Sequence, residues 1–249
     1  MNFDKYDFLH QTRYLFLLKE IEKLLISLLE KQNKIVLVDI GSGTGQFLSL
    51  LKNKFKRERI KIYALDRINS LNDKTITFIK INDLNKDRID LPNEFADVIT
   101  CSEAIEHLYQ PDNLILESRR ILRKQGYFVI TTPNLNSWIN RILILFGYFP
   151  YGMSLCRRAD ELGVRDLKYI KQPSKNLEKV NYDYHIRLYG VKALTKILSL
   201  YKFKIVKISS FVRYYPNDKF YKRLINSIYY LLNKINPFLS QIIFIICKK

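Results

Sequence analysis

The sequence predicts an α/β fold, a largely parallel β-sheet layered between helices. Two observations carry that prediction. Short runs rich in Val, Ile, Tyr and Phe alternate along the chain with stretches of helical period, the connection pattern of a parallel sheet with helices on both faces. The first such run also ends in a glycine-rich turn, "VDIGSGTG", that leads straight into a helical pattern. With 249 residues, 47% of them hydrophobic, the chain can bury a sizeable core, and its length fits one domain over 1–249.

The elements follow in order. From Phe8 to Leu29 apolar residues recur at helical spacing with Lys19, Glu20, Glu22 and Lys23 opposite, an amphipathic helix expected to cover a sheet edge or lid a site. Five strand-like runs come next, "KIVLVDI", "IKIYALD", "TITFIKI", "ADVITCS" and "GYFVITT". Helical patterns such as "QFLSLLKNKF" and "NLILESRRILRK" lie between them. Pro133 stops the fifth strand, and residues 135–184 break the alternation with an apolar helix "SWINRILILF", a turn "GYFPYG" and a polar basic stretch. That insertion reads as a cap over the end of the sheet, where an acceptor would be selected. Regular structure resumes with "GVKALTKILSLY", the strand "KFKIVKISS", a helix through "FYKRLINSIYYLLNKI" and a last strand "SQIIFIICK".

Charge divides the chain. The net charge of +18 arises from 21 Lys and Arg against 18 Asp and Glu up to Asn134, but 21 against 6 beyond it. A basic second half suits an acidic substrate, a nucleic acid or peripheral contact with an anionic membrane surface, and equally a set of solvated lysines. Cys101, Cys156 and Cys247 are few and widely spaced, so neither a disulfide framework nor a zinc site is suggested. The start lacks the order of a signal peptide and the apolar windows are about half the ~20 residues that span a bilayer. A cytoplasmic protein is expected.

Gly41, Gly43 and Gly45 occupy alternate positions of the turn, which suits a backbone that needs unusual angles and close approach to a ligand. Dinucleotide enzymes want a further glycine where this chain has Gln46, and their pyrophosphate would be repelled by the neighbouring Asp39. A carboxylate there suits an ammonium instead, as in the methionine part of S-adenosylmethionine. Asp66 ends the next strand about 20 residues on, where a ribose-binding acid is expected.

On "VLVDIGSGTGQFL", "IYALD", "INDLN", "ADVITCSEAIEHL" and "ILRKQGYFVITTPN" the chain resembles the class I S-adenosylmethionine-dependent methyltransferases over almost its whole length. More narrowly, "TTPNLNSWINRILILFGYFPYG" and "HIRLYGVKALTKIL" look like small-molecule methyltransferases of surface saccharide and lipid biosynthesis. The resemblance implies a Rossmann-like three-layer sandwich, a seven-stranded, mostly parallel sheet with an antiparallel last strand. It implies S-adenosyl-L-methionine as cofactor. Asp39, Gly41, Ser42, Gly43 and Gly45 would lie around its methionine part, Asp66 and Arg67 at the ribose, Asp83 and Leu84 at the adenine, and Cys101 and Ser102 near the sulfonium. Gln125 departs from the family, which has a glycine there.

The acceptor implied is a small molecule, a hydroxyl of a saccharide, a lipid-linked saccharide or a quinone precursor, with His107, His185 and Glu103 as candidate catalytic groups. The "EAIEHL" segment is expected on the first turns of a helix. Its E-x-x-E-H spacing resembles methyltransferases that hold Mg2+ or Mn2+, with His185 as a fourth ligand, but the same letters occur without a metal and none is assigned. An RNA methyltransferase using the basic half is an alternative, although no RNA-binding motif appears. A non-catalytic methyltransferase-like scaffold is another, against which the intact glycine loop and both acids count.

Overall fold

The computed structural model describes residues 5–55, 59–154, 185–211, 224, 227, 228, 230–232 and 235–249. Helix α1 (Lys5–Leu29) leads into β1 (Ile35–Ile40), α2 (Gln46–Lys54), β2 (Ile60–Asp66), β3 (Thr77–Lys80) and β4 (Ala96–Ser102). A short 3-10 turn (Ile105–His107) precedes α3 (Pro111–Ile121), β5 (Leu122–Pro133) and α4 (Trp138–Leu145). The chain closes with α5 (Val191–Leu200), β6 (Lys204–Phe211) and β7 (Ile242–Lys248). The polar basic part of the expected cap and most of the helix expected at 220–235 lie outside the described residues.

The seven strands form one sheet in the order β3-β2-β1-β4-β5-β7-β6. Strands β1 to β5 pair in parallel, and β7 runs antiparallel to both β5 and β6. Side chains alternate across a strand, so β1 serves two cores. Ile35 and Leu37 join Leu17, Ile21 and Leu25 of α1 and Phe47, Leu48 and Leu51 of α2 on one face. Val38 and Ile40 join Leu114 and Ile115 of α3 and Leu194 and Leu198 of α5 on the other. This is the expected three-layer sandwich.

Helix α1 packs across a sheet face beside α2, because Leu17, Leu18, Ile21 and Leu25 fall on one stripe and are almost fully buried, and it reaches the edge strand β6, where Phe16 stacks on Phe211 and Glu20 accepts from Lys207. Each such burial contributes roughly 1.5–3 kcal/mol. The "EAIEHL" segment is not the start of a helix, since Glu103 adopts φ 55° and Pro111 occupies the first turn of α3. Finally, the helix expected to run through Lys124 ends at Ile121, because Leu122 already pairs with Ala96 of β4. Gln125 there takes φ 66°, the left-handed angle that a glycine would adopt freely.

Candidate functional site

The site lies where the parallel strands end. The register sets Asp39 of β1 beside Ala64 of β2 and Thr100 of β4, and Asp66 beside Lys80 of β3. The strand order reverses between β1 and β4, and the crevice beyond strand ends at such a point is where open α/β sheets bind ligands. Gly41, Gly43 and Gly45 all have positive φ, 76°, 52° and 70°. At Gly41 a Cβ would come within 2.9 Å of the Ala104 Cβ, so two backbone-anchored atoms would collide. At Gly43 a Cβ would meet nothing within 4 Å, so the conformation alone calls for glycine and the loop stays open on that side. The Gly41 and Ser42 amides donate to the Leu65 carbonyl at 2.9 and 3.1 Å, tying the loop to β2. The Ser42 Oγ has no hydrogen-bond partner among the described residues.

Asp66 holds the same loop from below. Its Oδ2 accepts from the Gly43 amide at 2.8 Å and its Oδ1 from the Arg67 amide at 2.6 Å, which leaves each oxygen a lone pair for a further donor. Asp39 is 5% exposed and its Oδ1 accepts from the Thr100 hydroxyl at 2.5 Å. Asp83 follows β3. Its Oδ1 accepts from the amide and the side chain of Asn85 at 2.9 and 2.7 Å. Burial works to raise its pKa, but these bonds and the nearby Lys86 and Arg67 charges hold it below the ordinary aspartate value. The Leu84 carbonyl accepts from Asn113 at 3.1 Å.

At the end of β4, Cys101 is buried and its thiol is pushed well above the usual range, first by burial and then by the carboxylates of Glu106, Asp39 and Glu103. The thiol is therefore kept protonated, and the charges of three acids reach it. The Ser102 and Thr131 hydroxyls share a hydrogen bond of 2.9 Å. Glu103 turns away from the strand with its amide on the Thr131 carbonyl. Glu106 is fully buried and accepts from the Thr132 hydroxyl at 3.0 Å. Its backbone carbonyl accepts from the Ile186 and Arg187 amides, so the chain returning from the insertion is clamped to this segment.

That clamp delivers His185. Its ring meets the ring of His107 edge-on at 4.7 Å, and its Nε2 lies 3.9 Å from Glu106 Oε1. Its Nδ1 bonds the Gly152 carbonyl, which can only accept, so Nδ1 carries the proton. Glu106, His107 and His185 each bring one donor atom to within 4.8 Å of the others. Glu103 is not among them, so the four-ligand grouping suggested by the E-x-x-E-H spacing does not assemble.

Beyond β5, Pro133, Asn134, Ser137, Asn140, Tyr151 and His185 line a small cleft. Ser137 caps α4, accepting from the Asn140 amide. Sequence reading missed Thr100, Thr131, Thr132 and Asn140. Each acts through strand register or a loop crossing that neighbouring letters do not reveal.

A family model described as a methyltransferase domain matches residues 8–208. A malonyl-[acyl-carrier protein] O-methyltransferase of Paenibacillus sp. (strain JDR-2) is 29% identical over 114 residues, 41% of this chain and 40% of that protein. The chain thus aligns with well under half of that relative's length. Among solved structures, an S-adenosylmethionine-dependent methyltransferase of Thermotoga maritima superposes with a TM-score of 0.58 at 17% identity, covering 97% of this chain and 91% of that one. One from Archaeoglobus fulgidus gives a TM-score of 0.53 at 21% identity, covering 95% and 100%.

Proposed function

The chain belongs to the methyltransferase domain family, and on that premise we propose that it transfers a methyl group from S-adenosylmethionine to a hydroxyl of a small molecule. The observation that carries this reading is the pairing of an open glycine loop with carboxylates. Asp39 pairs across from Thr100 of β4, Glu103 follows β4 with its amide on Thr131 of β5, and Glu106 accepts from Thr132, a negative setting for a ligand with an ammonium and a sulfonium, while Gly43 leaves room for its approach.

The residues present fit that cofactor. Asp39 receives the ammonium beside Gly41, Ser42 and Gly45. Asp66, with a lone pair to spare on each oxygen, takes the ribose hydroxyls next to Arg67. Asp83, kept ionised below the ordinary aspartate value, accepts from the adenine amino group, with Leu84 packed alongside. Cys101 and Ser102 border the methyl-bearing end. When bound, the sulfonium supplies an already activated methyl group.

What remains for the chain is alignment of the acceptor oxygen and removal of its proton, and alignment alone can lower a barrier by ~7 to 11 kcal/mol. His185 is fixed by Gly152 with Nε2 turned toward Glu106, so Nε2 or His107 takes the acceptor proton and the buried carboxylate balances the resulting imidazolium. Glu103 stands at the same strand end as a second acid. The Paenibacillus relative is named an O-methyltransferase, which supports oxygen as the atom methylated.

In this reading 1–249 is a single domain, the segment 135–184 is assigned to acceptor selection, and the basic charge of the second half suits a lipid-linked or phosphate-bearing acceptor in the cytoplasm, at or near a membrane surface. No helix among the described residues is long and apolar enough to cross a membrane. The test is direct. S-adenosylhomocysteine should raise the melting temperature, and Asp66→Ala should abolish that rise; if the product does not bind, or Asp66→Ala binds as well as the parent, the reading is wrong.

A further inference from the structure

Helix α4 is built inside out. Its one buried residue is the polar Asn140, whose Nδ2 donates to the Asn134 carbonyl at 3.1 Å. Ile142, Ile144, Leu145, Phe146, Tyr148 and Phe149, on the helix and in the turn after it, are instead 43–79% exposed. A helix packed on a core in water shows the reverse order, and apolar side chains gathered on an exposed surface mark a face that meets something apolar. The turn is closed onto the helix. The Phe146 and Tyr148 amides donate to the Ile142 and Leu143 carbonyls at 3.1 and 2.8 Å, which holds the exposed rings at the helix end.

Charge selects the partner. Among the described residues beyond Asn134 there is no Asp or Glu. Arg141 is exposed on α4 itself. Helix α5 starts beside the start of α4, because the Leu135 amide donates to the Tyr189 carbonyl at 2.9 Å and Gly190 lies against the Asn136 side chain, and it carries the exposed Lys192 and Lys196. A second copy docked through the same patch would set these cations against one another, since a two-fold interface pairs a surface with itself. An anionic lipid surface meets both needs, with acyl chains for the apolar side chains and phosphates for the cations. At 8 residues, α4 falls far short of the ~20 that span a bilayer, so such a contact is interfacial.

We propose that α4 and the turn through Phe149 dock on an anionic bilayer surface, with Leu145 and Phe146 entering the boundary between headgroups and acyl chains. The docking stands on this surface alone, while its use rests on the methyltransferase reading above. The same turn leads directly to Gly152, whose carbonyl holds His185 Nδ1. Docking therefore brings His185 close to the bilayer, where an acceptor anchored in lipid presents its hydroxyl without leaving the membrane.

The experiment mixes the full chain with vesicles of phosphatidylcholine alone, or of phosphatidylcholine and phosphatidylglycerol in equal parts, and measures bound protein by flotation. Binding to the anionic vesicles is expected, roughly tenfold weaker to the neutral ones and weaker as salt is raised. Leu145→Ser combined with Phe146→Ser should cut binding by roughly tenfold or more. Leu15→Ser, which removes a side chain 62% exposed on α1, should bind like the parent. Phe146→Trp keeps the apolar surface and reports the same contact, through a blue shift of the added emission on mixing with anionic vesicles. The proposal is overturned if the parent ignores anionic vesicles, the result expected of a face made for a protein partner. It is equally overturned if the double variant melts with the parent and binds as well, if Phe146→Trp binds without a shift, or if light scattering shows a dimer that the double variant splits. S-adenosylhomocysteine is titrated in parallel. Its binding without vesicle binding rejects the docking surface and leaves the methyltransferase reading standing, whereas vesicle binding without it keeps the docking and rejects the acceptor role.

Discussion

Replacing the loop glycines one at a time separates what each is for. Gly41→Ala forces an L-residue into φ 76°, which costs roughly 1–2 kcal/mol. It also sets a Cβ 2.9 Å from that of Ala104, and overpacking between two anchored atoms adds about 1–3 kcal/mol. The sum, roughly 2–5 kcal/mol, is a large part of a typical stability of about 5–15 kcal/mol. At about 2–4 °C per kcal/mol for a chain of this size, the melting temperature should fall by roughly 4–20 °C. Gly43→Ala has only the conformational term, about 1–2 kcal/mol, because its Cβ meets nothing. Its methyl group instead projects where the cofactor is proposed to lie, so S-adenosylhomocysteine affinity should drop by about tenfold or more, the effect of ~1.4 kcal/mol. Scanning calorimetry and isothermal titration on the two variants give both quantities. The reasoning fails if Gly41→Ala melts with the parent, if Gly43→Ala costs more than Gly41→Ala, or if Gly43→Ala retains full affinity.

Three further outcomes follow from the same geometry. Gln125→Gly relieves the left-handed strain at φ 66° and should stabilise by about 0.5–1 kcal/mol net of chain entropy, visible as a higher urea midpoint with an unchanged slope. Thr100→Val keeps the shape but removes the donor to the buried Asp39 carboxylate; a loss of about 1.5–3 kcal/mol is expected in denaturant melts, as for hydrogen bonds to charged groups. Burial raises the Cys247 thiol far above its usual value, so the folded chain keeps a proton that the unfolded chain releases near pH 8.5. That contribution is complete below about pH 8.5 and is lost as pH rises toward the folded value, at up to ~1.4 kcal/mol per pH unit. Cys101 acts in the same direction. Urea unfolding between pH 8 and 10 should show this decline, and Cys247→Ala should reduce its slope; an unaltered slope would count against it.

Strand positions were legible because period and composition act locally. "ADVITCS" coincides with β4, and "KIVLVDI" and "IKIYALD" contain β1 and β2. The glycine loop was legible for the same reason, since three left-handed positions and the space beside Ala104 leave little choice of residue. Glu103 to His107 misled because periodic letters look helical, whereas Glu103 adopts a left-handed angle that no helix contains and its amide is taken by the Thr131 carbonyl across the sheet. Contacts of that kind depend on register. Thr100 meets Asp39 only because β4 lies beside β1, and Thr132 meets Glu106 only because β5 follows β4. Strand order is a property of the whole chain, and a window of letters does not contain it.

The electrostatic layout gives the proposed cofactor a direction of exchange. The protein carries +18 overall, yet Asp39, Glu103 and Glu106 gather at one strand end, as their joint effect on the Cys101 thiol records. A general positive field repels a cation at long range but decays within about 8–10 Å in physiological salt, while carboxylates within a buried crevice act at short range with little screening. Methyl transfer removes the sulfonium charge, so the product loses an attraction that the donor had. The acids therefore favour donor over product, and Thr100 and Thr132 hold two of them in place. It follows that Glu106→Gln should narrow the difference in affinity between S-adenosylmethionine and S-adenosylhomocysteine, by weakening the former more. Calorimetric titration of both ligands measures that difference. An equal loss for the two would mean that Glu106 acts only through the fold, by way of Thr132 and the chain at Ile186, and has no part in sensing the charge.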